Sequence, residues 1–384
     1  MDRHSLSVIV LCLAACSGMD ESNFRADDCG EDNFITAPQM SNAALHRPQA
    51  LLFVGEFLVV TNTAYDGGTW DDGFVVIIDT NTRAVVNLWK TSAKNPQALA
   101  IHGGYLYVVN TGTFDLSDFE RPKVLEPGTV ERVPVEDLDK DGIRPEVFSL
   151  SGSTANADFR APTDLAFIGA NAVITSALDP AVLLTSFEEG GGSLMGPVIR
   201  YESDAQLGLG GVATWQNQFV IVDFNADRLY LLDPSDPEIR CPTDIGLFDG
   251  ELEGALAPLV VDDRVYVIMA LSGIIRAVEL GPLAADCPTQ ISTPVSPLGQ
   301  IPNDMLRLDQ QMAVVESGDN RIRLYSLDGG ENACQWTLPV GSNPWSLTRH
   351  AQTQTLAVSE WGTNSVLLID RRGGASIRFG SKQP

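Results

Sequence analysis

A short apolar strand ending in a small or polar residue recurs seven times along this chain, and the recurrence constrains the fold more than any other feature. The copies read Leu58-Val59-Val60-Thr61-Asn62, Leu106-Tyr107-Val108-Val109-Asn110, Ala172-Val173-Ile174-Thr175-Ser176, Val220-Ile221-Val222-Asp223, Val267-Ile268-Met269-Ala270, Ala313-Val314-Val315-Glu316 and Ala357-Val358-Ser359-Glu360. Their last residues stand 48, 66, 47, 47, 46 and 44 apart, a period near 47 with one insertion in the second copy. A Pro-containing lead-in precedes many of them, as in Asn95-Pro96-Gln97. A further β-rich run follows, as in Ser365-Val366-Leu367-Leu368-Ile369, and a last one closes the unit, as in Ala84-Val85-Val86-Asn87-Leu88-Trp89. Short runs punctuated by turn residues are strand rather than helix spacing. A four-stranded unit has two faces to bury and cannot cover both alone. Radial stacking covers them and leaves only short edges. The expected fold is therefore all-β, a seven-bladed β-propeller of four-stranded blades over residues 48–384.

Asn95-Pro96-Gln97-Ala98-Leu99-Ala100 running into Tyr105-Leu106-Tyr107-Val108-Val109-Asn110-Thr111 resembles the YVTN-type propeller repeat, as does Gly341-Ser342-Asn343-Pro344 through Ile369-Asp370. The resemblance is clearest in copies one, two, six and seven; Ser176 and Ala270 depart from the polar strand end in copies three and five. It speaks to fold more than to function, because the family hosts many activities. The Trp-Asp blade ending of WD40 repeats is missing, since the lone Trp70-Asp71 sits in a turn.

The N-terminus carries Arg3 and His4, then an apolar run from Leu6 to Ala15, which is the layout of an export signal. The run is about half the roughly 20 residues a spanning helix needs. Leu13-Ala14-Ala15-Cys16 resembles the lipobox of bacterial lipoproteins. The resemblance implies cleavage after residue 15, acylation of Cys16 and a membrane tether. An ordinary secretory signal with a chance Cys is the other reading. Ser17 after that Cys resembles the sorting rule for the outer membrane of some Gram-negative bacteria. Residues 16–47, rich in Ser, Asp, Asn and Glu, read as a polar linker.

The net charge is -25, and removal of residues 1–15 takes one Asp and one Arg and leaves it there. Such a surface repels phosphate backbones and anionic headgroups, so nucleic acid is not an expected partner and membrane contact is expected through the lipid anchor only. Cys29, Cys241, Cys287 and Cys334 remain beyond the lipobox, an even number in an exported chain, which suggests two disulfides. The pairing expected is Cys241 with Cys287 and Cys29 with Cys334.

The seven strand ends share one face and form a ring: Asn62, Asn110, Ser176, Asp223, Ala270, Glu316 and Glu360. Oxygen donors converging on an axis suit a hard cation. Related gluconolactonase-like propellers hold a divalent metal near that axis, and the resemblance carries this role onto Asn110, Asp223, Glu316 and Glu360. The alternative is that each side chain bonds to neighbouring backbone as a structural habit of the repeat. The same face carries two long loops. Residues 63–72 offer Tyr65, Asp66, Trp70 and Asp72, and residues 111–127 offer Phe114 and Phe119, a mixture suited to binding. Asp137-Leu138-Asp139-Lys140-Asp141-Gly142 matches the first half of an EF-hand-type loop but lacks the closing Glu. A structural Ca²⁺ held by Asp137, Asp139 and Asp141 is expected there, on the opposite face. With no His pair, Gly-x-Ser-x-Gly elbow or thiol motif, nucleophilic catalysis has no support.

The function expected is a monomeric, lipid-anchored envelope module that binds or scaffolds an envelope protein or small ligand without catalysis. The alternative is a metal-dependent hydrolase of the lactonase type using the axial ring. Redox work with a quinone lacks any ligand set.

Overall fold

The computed structural model describes residues 33–34, 39–40, 45–66, 68–115, 123–150, 159–187, 191–194, 196–201, 208–246, 252–280, 291–295, 299–327, 331–370 and 376–380. Each repeat builds an antiparallel sheet of four strands, and Gly192–Ser193, between the third and fourth strands of blade 3, adds in parallel to the outer edge of blade 2. Blade 1 is Pro48–Val54, Phe57–Asn62, Phe74–Asp79 and Ala84–Lys90. Blade 4 is Leu209–Trp215, Gln218–Asp223, Arg228–Asp233 and Asp236–Asp244. Blade 7 is Pro344–Arg349, Leu356–Glu360, Ser365–Ile369 and Ile377–Gly380. The first strand of every blade packs on the first strands of both neighbours, and Pro48–Val54 meets Pro344–Arg349 to shut the ring. The chain is thus an all-β, seven-bladed propeller. Among the described residues no helix is long and apolar enough to cross a membrane.

Period-two alternation makes the blades stack. In blade 1, Val59, Val75 and Ile77 face blade 2, packing with Leu106, Val108 and Leu138. Leu58, Val60, Val76 and Ile78 face blade 7, packing with Val366, Leu368 and Phe379. The described residues contain seven such apolar clusters, one for each interface between blades.

Polar bonds among the first and second strands stitch the ring around its axis. Gln49 donates to Gln97 (3.0 Å), Ser359 donates to the Gln49 carbonyl (2.9 Å), and Asp304 accepts from Ser346 Oγ (2.8 Å) and Leu347 N (3.0 Å). Asp164 in blade 3 accepts from Val212 N of blade 4 at 2.8 Å. Burial pushes its carboxyl up to about 7, and the Asp304 charge across the axis adds to the rise.

The linker reading of residues 16–47 needs correction at its end. Asn33–Phe34 pairs in parallel with the outer strand of blade 6, and Gln39–Met40 with the outer strand of blade 7. Leu45 is buried between blades 7 and 1. Two-residue pairings are made by backbone alone, so no side-chain periodicity announces them. Blade 7 draws its own four strands from the C-terminal repeat, and these additions cover edges rather than complete a sheet.

Candidate functional site

First strands begin, second strands end and successive blades are joined on one face of the wheel, here called the upper face. Its character is set by the loop between the second and third strands of each blade. In blades 4, 6 and 7 this is a four-residue turn whose last residue has a left-handed backbone: Asp227 (φ 49°), Asn320 (φ 52°) and Asn364 (φ 54°). Asn and Asp tolerate that region because their short polar side chains bond locally. Here the side chains reach forward to the next blade. Asp227 accepts from Glu253 N (2.8 Å), Gly254 N (2.7 Å) and Ala255 N (3.2 Å), at the entry to blade 5. Asn320 accepts from Asn343 N and Asn364 from Arg47 N, each at 2.9 Å. The Asn364 bond closes the circle from blade 7 to blade 1.

Behind the Asp227 clasp lies a buried ion pair, Arg276 with Glu253 at 2.9 Å, with side chains 0% and 1% exposed. In blade 5 the turn position is Gly273, which adopts φ 64° without a side chain to extend.

Blades 1 and 2 differ. Their loops rise as small hairpins, Tyr65–Asp66 with Thr69–Trp70, and Thr113–Asp115 with Lys123–Glu126. Gly112 at the base of the second has φ 80°, and a Cβ there would meet the Glu126 carbonyl at 2.2 Å. Glu131 of blade 2 provides the local tie to blade 1, accepting from Trp89 Nε1 (3.0 Å) and Ser92 N (2.7 Å).

The hairpins bring aromatic side chains into a row across blades 7, 1 and 2. Ring centroids are 6.0 Å apart for Trp345 and Trp361, 6.2 Å for Trp361 and Tyr65, 4.6 Å for Tyr65 and Trp70, and 6.5 Å for Trp70 and Phe114. The Arg47 guanidinium lies 4.2 Å over Trp361 and donates to the carbonyls of Tyr65 (3.2 Å) and Trp361 (3.1 Å). Tyr65, Trp70 and Trp361 are half-buried, whereas Trp345 is buried. Phe114, expected as a contact residue, is also buried, in one apolar cluster with Leu178, Phe224, Leu256 and Trp345 that plugs the upper end of the axis. Its hairpin folds inward over that cluster, so Phe114 serves the plug.

Beside the first hairpin lies a pocket of about 350 Å³ lined by His46, Trp70, Asp71, Asp72, Phe74 and Lys94. Asp71 is exposed and its carboxylate accepts no hydrogen bond among the described residues. Asp72 pairs with Lys90 at 2.5 Å and Lys94 with Glu126 at 2.8 Å. The upper face also exposes Leu125 (65%), Leu252 (40%) and Val340 (95%).

The strand-end ring is not an open metal site. Asn62, Asn110, Ser176, Asp223, Ala270, Glu316 and Glu360 are all buried, and the structure does not bring the four metal candidates together. The second strand of blade 5 already ends at Met269, before Ala270. Glu316 is held by Arg321 and by Tyr325 Oη (2.8 Å); Glu360 by Arg378 Nη2 (2.8 Å) and Ser365 Oγ (2.7 Å). Asn110 donates to Thr129 Oγ1 at 3.1 Å, and one oxygen of Asp223 accepts from Asn225 N and Ala226 N, both at 3.0 Å. The other Asp223 oxygen is buried, as are Tyr201 Oη and Tyr230 Oη, and none of the three has a hydrogen bond of good geometry among the described residues. Burial pushes the Asp223 carboxyl up to about 6. Two guanidinium-bound carboxylates and donors locked into their own blades do not fit a shared cation.

Asp137, Asp139 and Asp141 lie in the loop between the third and fourth strands of blade 2, on the lower face. Buried Leu138 anchors that loop, and the Asn87 amide donates to the carbonyls of Leu138 (3.2 Å) and Lys140 (2.6 Å). Asp137 pairs with Lys140, and Asp139 and Asp141 are exposed. Among the described residues no three His, Cys, Asp or Glu are grouped to hold a metal ion. Of the remaining expectations, Cys16, Cys29, Phe119 and Cys287 lie outside the described residues. Cys241 and Cys334 fall on the outer strands of blades 4 and 6, and their side chains lie outside the described set.

Sequence reasoning named the first hairpin but missed its partners Arg47, Trp361, His46 and Lys94. Only proximity through the closed ring unites them. The clasps did leave a signal, an Asn or Asp four residues beyond a strand end, at Asp227, Asn320 and Asn364.

No protein-family model matches this chain, and no curated protein matches it. Solved structures do. The β-propeller domain of Myceliophteria thermophila Cps50 (Swd1) superposes with a TM-score of 0.62 at 15% identity, covering 86% of this chain and 99% of that one. The WD40 β-propeller domain of Doa1 gives 0.59 at 15% identity, covering 88% and 96%. Selenomethionine-substituted virginiamycin B lyase from Staphylococcus aureus gives 0.57 at 11% identity, covering 82% and 92%. Likeness at such identities is likeness of fold.

Proposed function

We propose that this propeller is a non-catalytic binding module of the bacterial envelope, tethered through an acylated Cys16, with its ligand surface on the upper face at blades 7, 1 and 2. One observation carries the reading. Where the turns of blades 4, 6 and 7 are spent on holding blades together, the hairpin of blade 1 sets Tyr65 and Trp70 half-buried in a row with Trp361, beside a pocket. Rigid aromatic anchors with polar neighbours are the usual centres of contact surfaces. The solved structures of like fold include a WD40 propeller domain as well as a lyase, so the fold itself favours neither binding nor catalysis.

The test is capture from envelope extract by wild type and by Tyr65→Ala/Trp70→Ala. A partner retained by wild type and lost by the variant, with an unchanged melting curve, supports the surface; retention by both contradicts it. The hydrolase reading requires Glu316 and Glu360 to leave the arginines that hold them. Metal-dependent lactone hydrolysis abolished by Asp223→Ala would restore that reading.

For the lower-face turn we propose calcium binding only in competition with Lys140, whose ammonium occupies Asp137. Calorimetric titration of wild type and Asp139→Ala separates the outcomes. Equal heats would leave the turn held by Leu138 and Asn87 alone.

A further inference from the structure

We infer that the pocket beside the first hairpin receives an arginine side chain presented by a basic segment of a protein partner. This rests on the upper face being the ligand surface and adds the chemistry it selects. The pocket combines the three features a guanidinium uses: an aromatic ring, Trp70; a carboxylate free of hydrogen bonds among the described residues, Asp71; and a second carboxylate beside it, Asp72.

A planar guanidinium stacks on a ring and forks onto carboxylates in a way that an ammonium does not. The same row of rings already shows this arrangement internally. Arg47 lies over Trp361 at 4.2 Å, and the row continues through Tyr65 to Trp70, where the pocket takes over.

Charge argues the same way. The two lysines nearest the pocket are each paired with another carboxylate, Lys90 with Asp72 and Lys94 with Glu126, which leaves Asp71 with only the longer-range attraction of Lys94. The Lys90–Asp72 pair is exposed on both sides (65% and 59%), and such pairs hold weakly, so an incoming guanidinium displaces Lys90 at little cost. At longer range, a chain of net charge -25 draws a basic partner toward it and repels an acidic one. Leu125, exposed at the rim of the second hairpin, offers apolar contact to the residues flanking such an arginine.

The experiment uses the full chain and a labelled probe, acetyl-Gly-Gly-Arg-Gly-Gly-amide, beside its Lys and Glu counterparts, read by fluorescence anisotropy at low and moderate salt. The Arg probe should bind more tightly than the Lys probe, and the Glu probe should not bind. Asp71→Asn should weaken the Arg probe about tenfold, as loss of one charged hydrogen bond implies. Lys90→Ala should strengthen it about threefold by freeing Asp72. Both substitutions are at exposed positions, and a melting curve for each confirms an intact fold. Equal affinity for Arg and Glu probes, or an Arg affinity untouched by Asp71→Asn, overturns the inference. If Tyr65→Ala/Trp70→Ala still abolishes capture of an envelope partner in that case, the surface stands and only its preference for arginine is wrong. If capture is also unaffected, both readings fall.

Discussion

The upper face divides into two sectors that use one position of the repeat for opposite ends. In blades 4, 6 and 7 the loop after the second strand is four residues long, and its left-handed Asp227, Asn320 or Asn364 grips the entry to the next blade. In blades 1 and 2 the same loop is a hairpin, with Tyr65, Trp70 and acidic side chains at the surface of the first and Phe114 turned inward from the second. Closure of the wheel therefore does not need every turn to clasp. Glu131 and the Gln49–Gln97 bond replace the clasp where hairpins stand. A scaffold with redundant stitching can release loops for recognition, and the two sectors should respond differently to mutation.

The largest effect is expected in the clasped sector at Glu253. Its carboxylate is the partner of Arg276, and both side chains are sealed between blades 4 and 5. Glu253→Ala leaves a buried guanidinium unpaired and should cost about 3–5 kcal/mol. Urea unfolding checks this; a loss below about 1 kcal/mol would mean the pair is dispensable and the sector no stiffer than the other.

Next comes the ring-closing clasp. Asn364→Ala removes the acceptor for Arg47 N and forces a Cβ-bearing residue to keep φ 54° without local side-chain bonding, for about 1–2 kcal/mol. Asn364→Gly loses the bond but not the backbone freedom, so the difference between the variants isolates the two contributions. Equal stability of Ala, Gly and wild type would show that the clasp contributes nothing.

A change of opposite sign is expected at Asp223. Its folded-state carboxyl is raised from 3.8 to about 6 by burial, so the folded protein binds that proton more tightly than the unfolded chain. The stabilising contribution is complete below about pH 3.8 and is lost as pH climbs through about 6. Asp223→Asn keeps the oxygen that accepts from Asn225 and Ala226 and replaces the second, buried oxygen by a neutral amide. It should raise stability by about 1 kcal/mol at pH 7 and flatten the slope between pH 4 and 6. An unchanged slope would place the titration elsewhere.

These contrasts also show what the sequence could reveal. Blade number and strand order follow from the 47-residue period and its alternation, because each apolar residue declares which side of its strand is covered. The strand-end ring was visible as polar residues, yet identity does not disclose partner. Glu360 meets Arg378 across its own sheet, and nothing local distinguishes that from an open ligand. Phe114 likewise reads as a loop aromatic until the hairpin folds over Leu178 and Phe224. Arg47 and Trp361 lie 314 positions apart and meet only because the wheel shuts.

The smallest stability effect and the sharpest functional one should coincide in the hairpin sector. Replacing residues 65–70 by a short Gly-Asn turn removes Tyr65 and Trp70, which contact each other, Trp361 and the edge of Phe114, and leaves the blade sheet untouched. Because those two rings are half in water, the loss should be about 1 kcal/mol or less. The second hairpin is the internal control, since Phe114 belongs to the axial plug and Phe114→Ala should cost about 3 kcal/mol. Binding should rank the other way, abolished without the first hairpin and only weakened by Phe114→Ala. Loss of fold on removing the first hairpin would make it a structural element like the clasps, and the division of the face into a sector that holds and a sector that recognises would be lost with it.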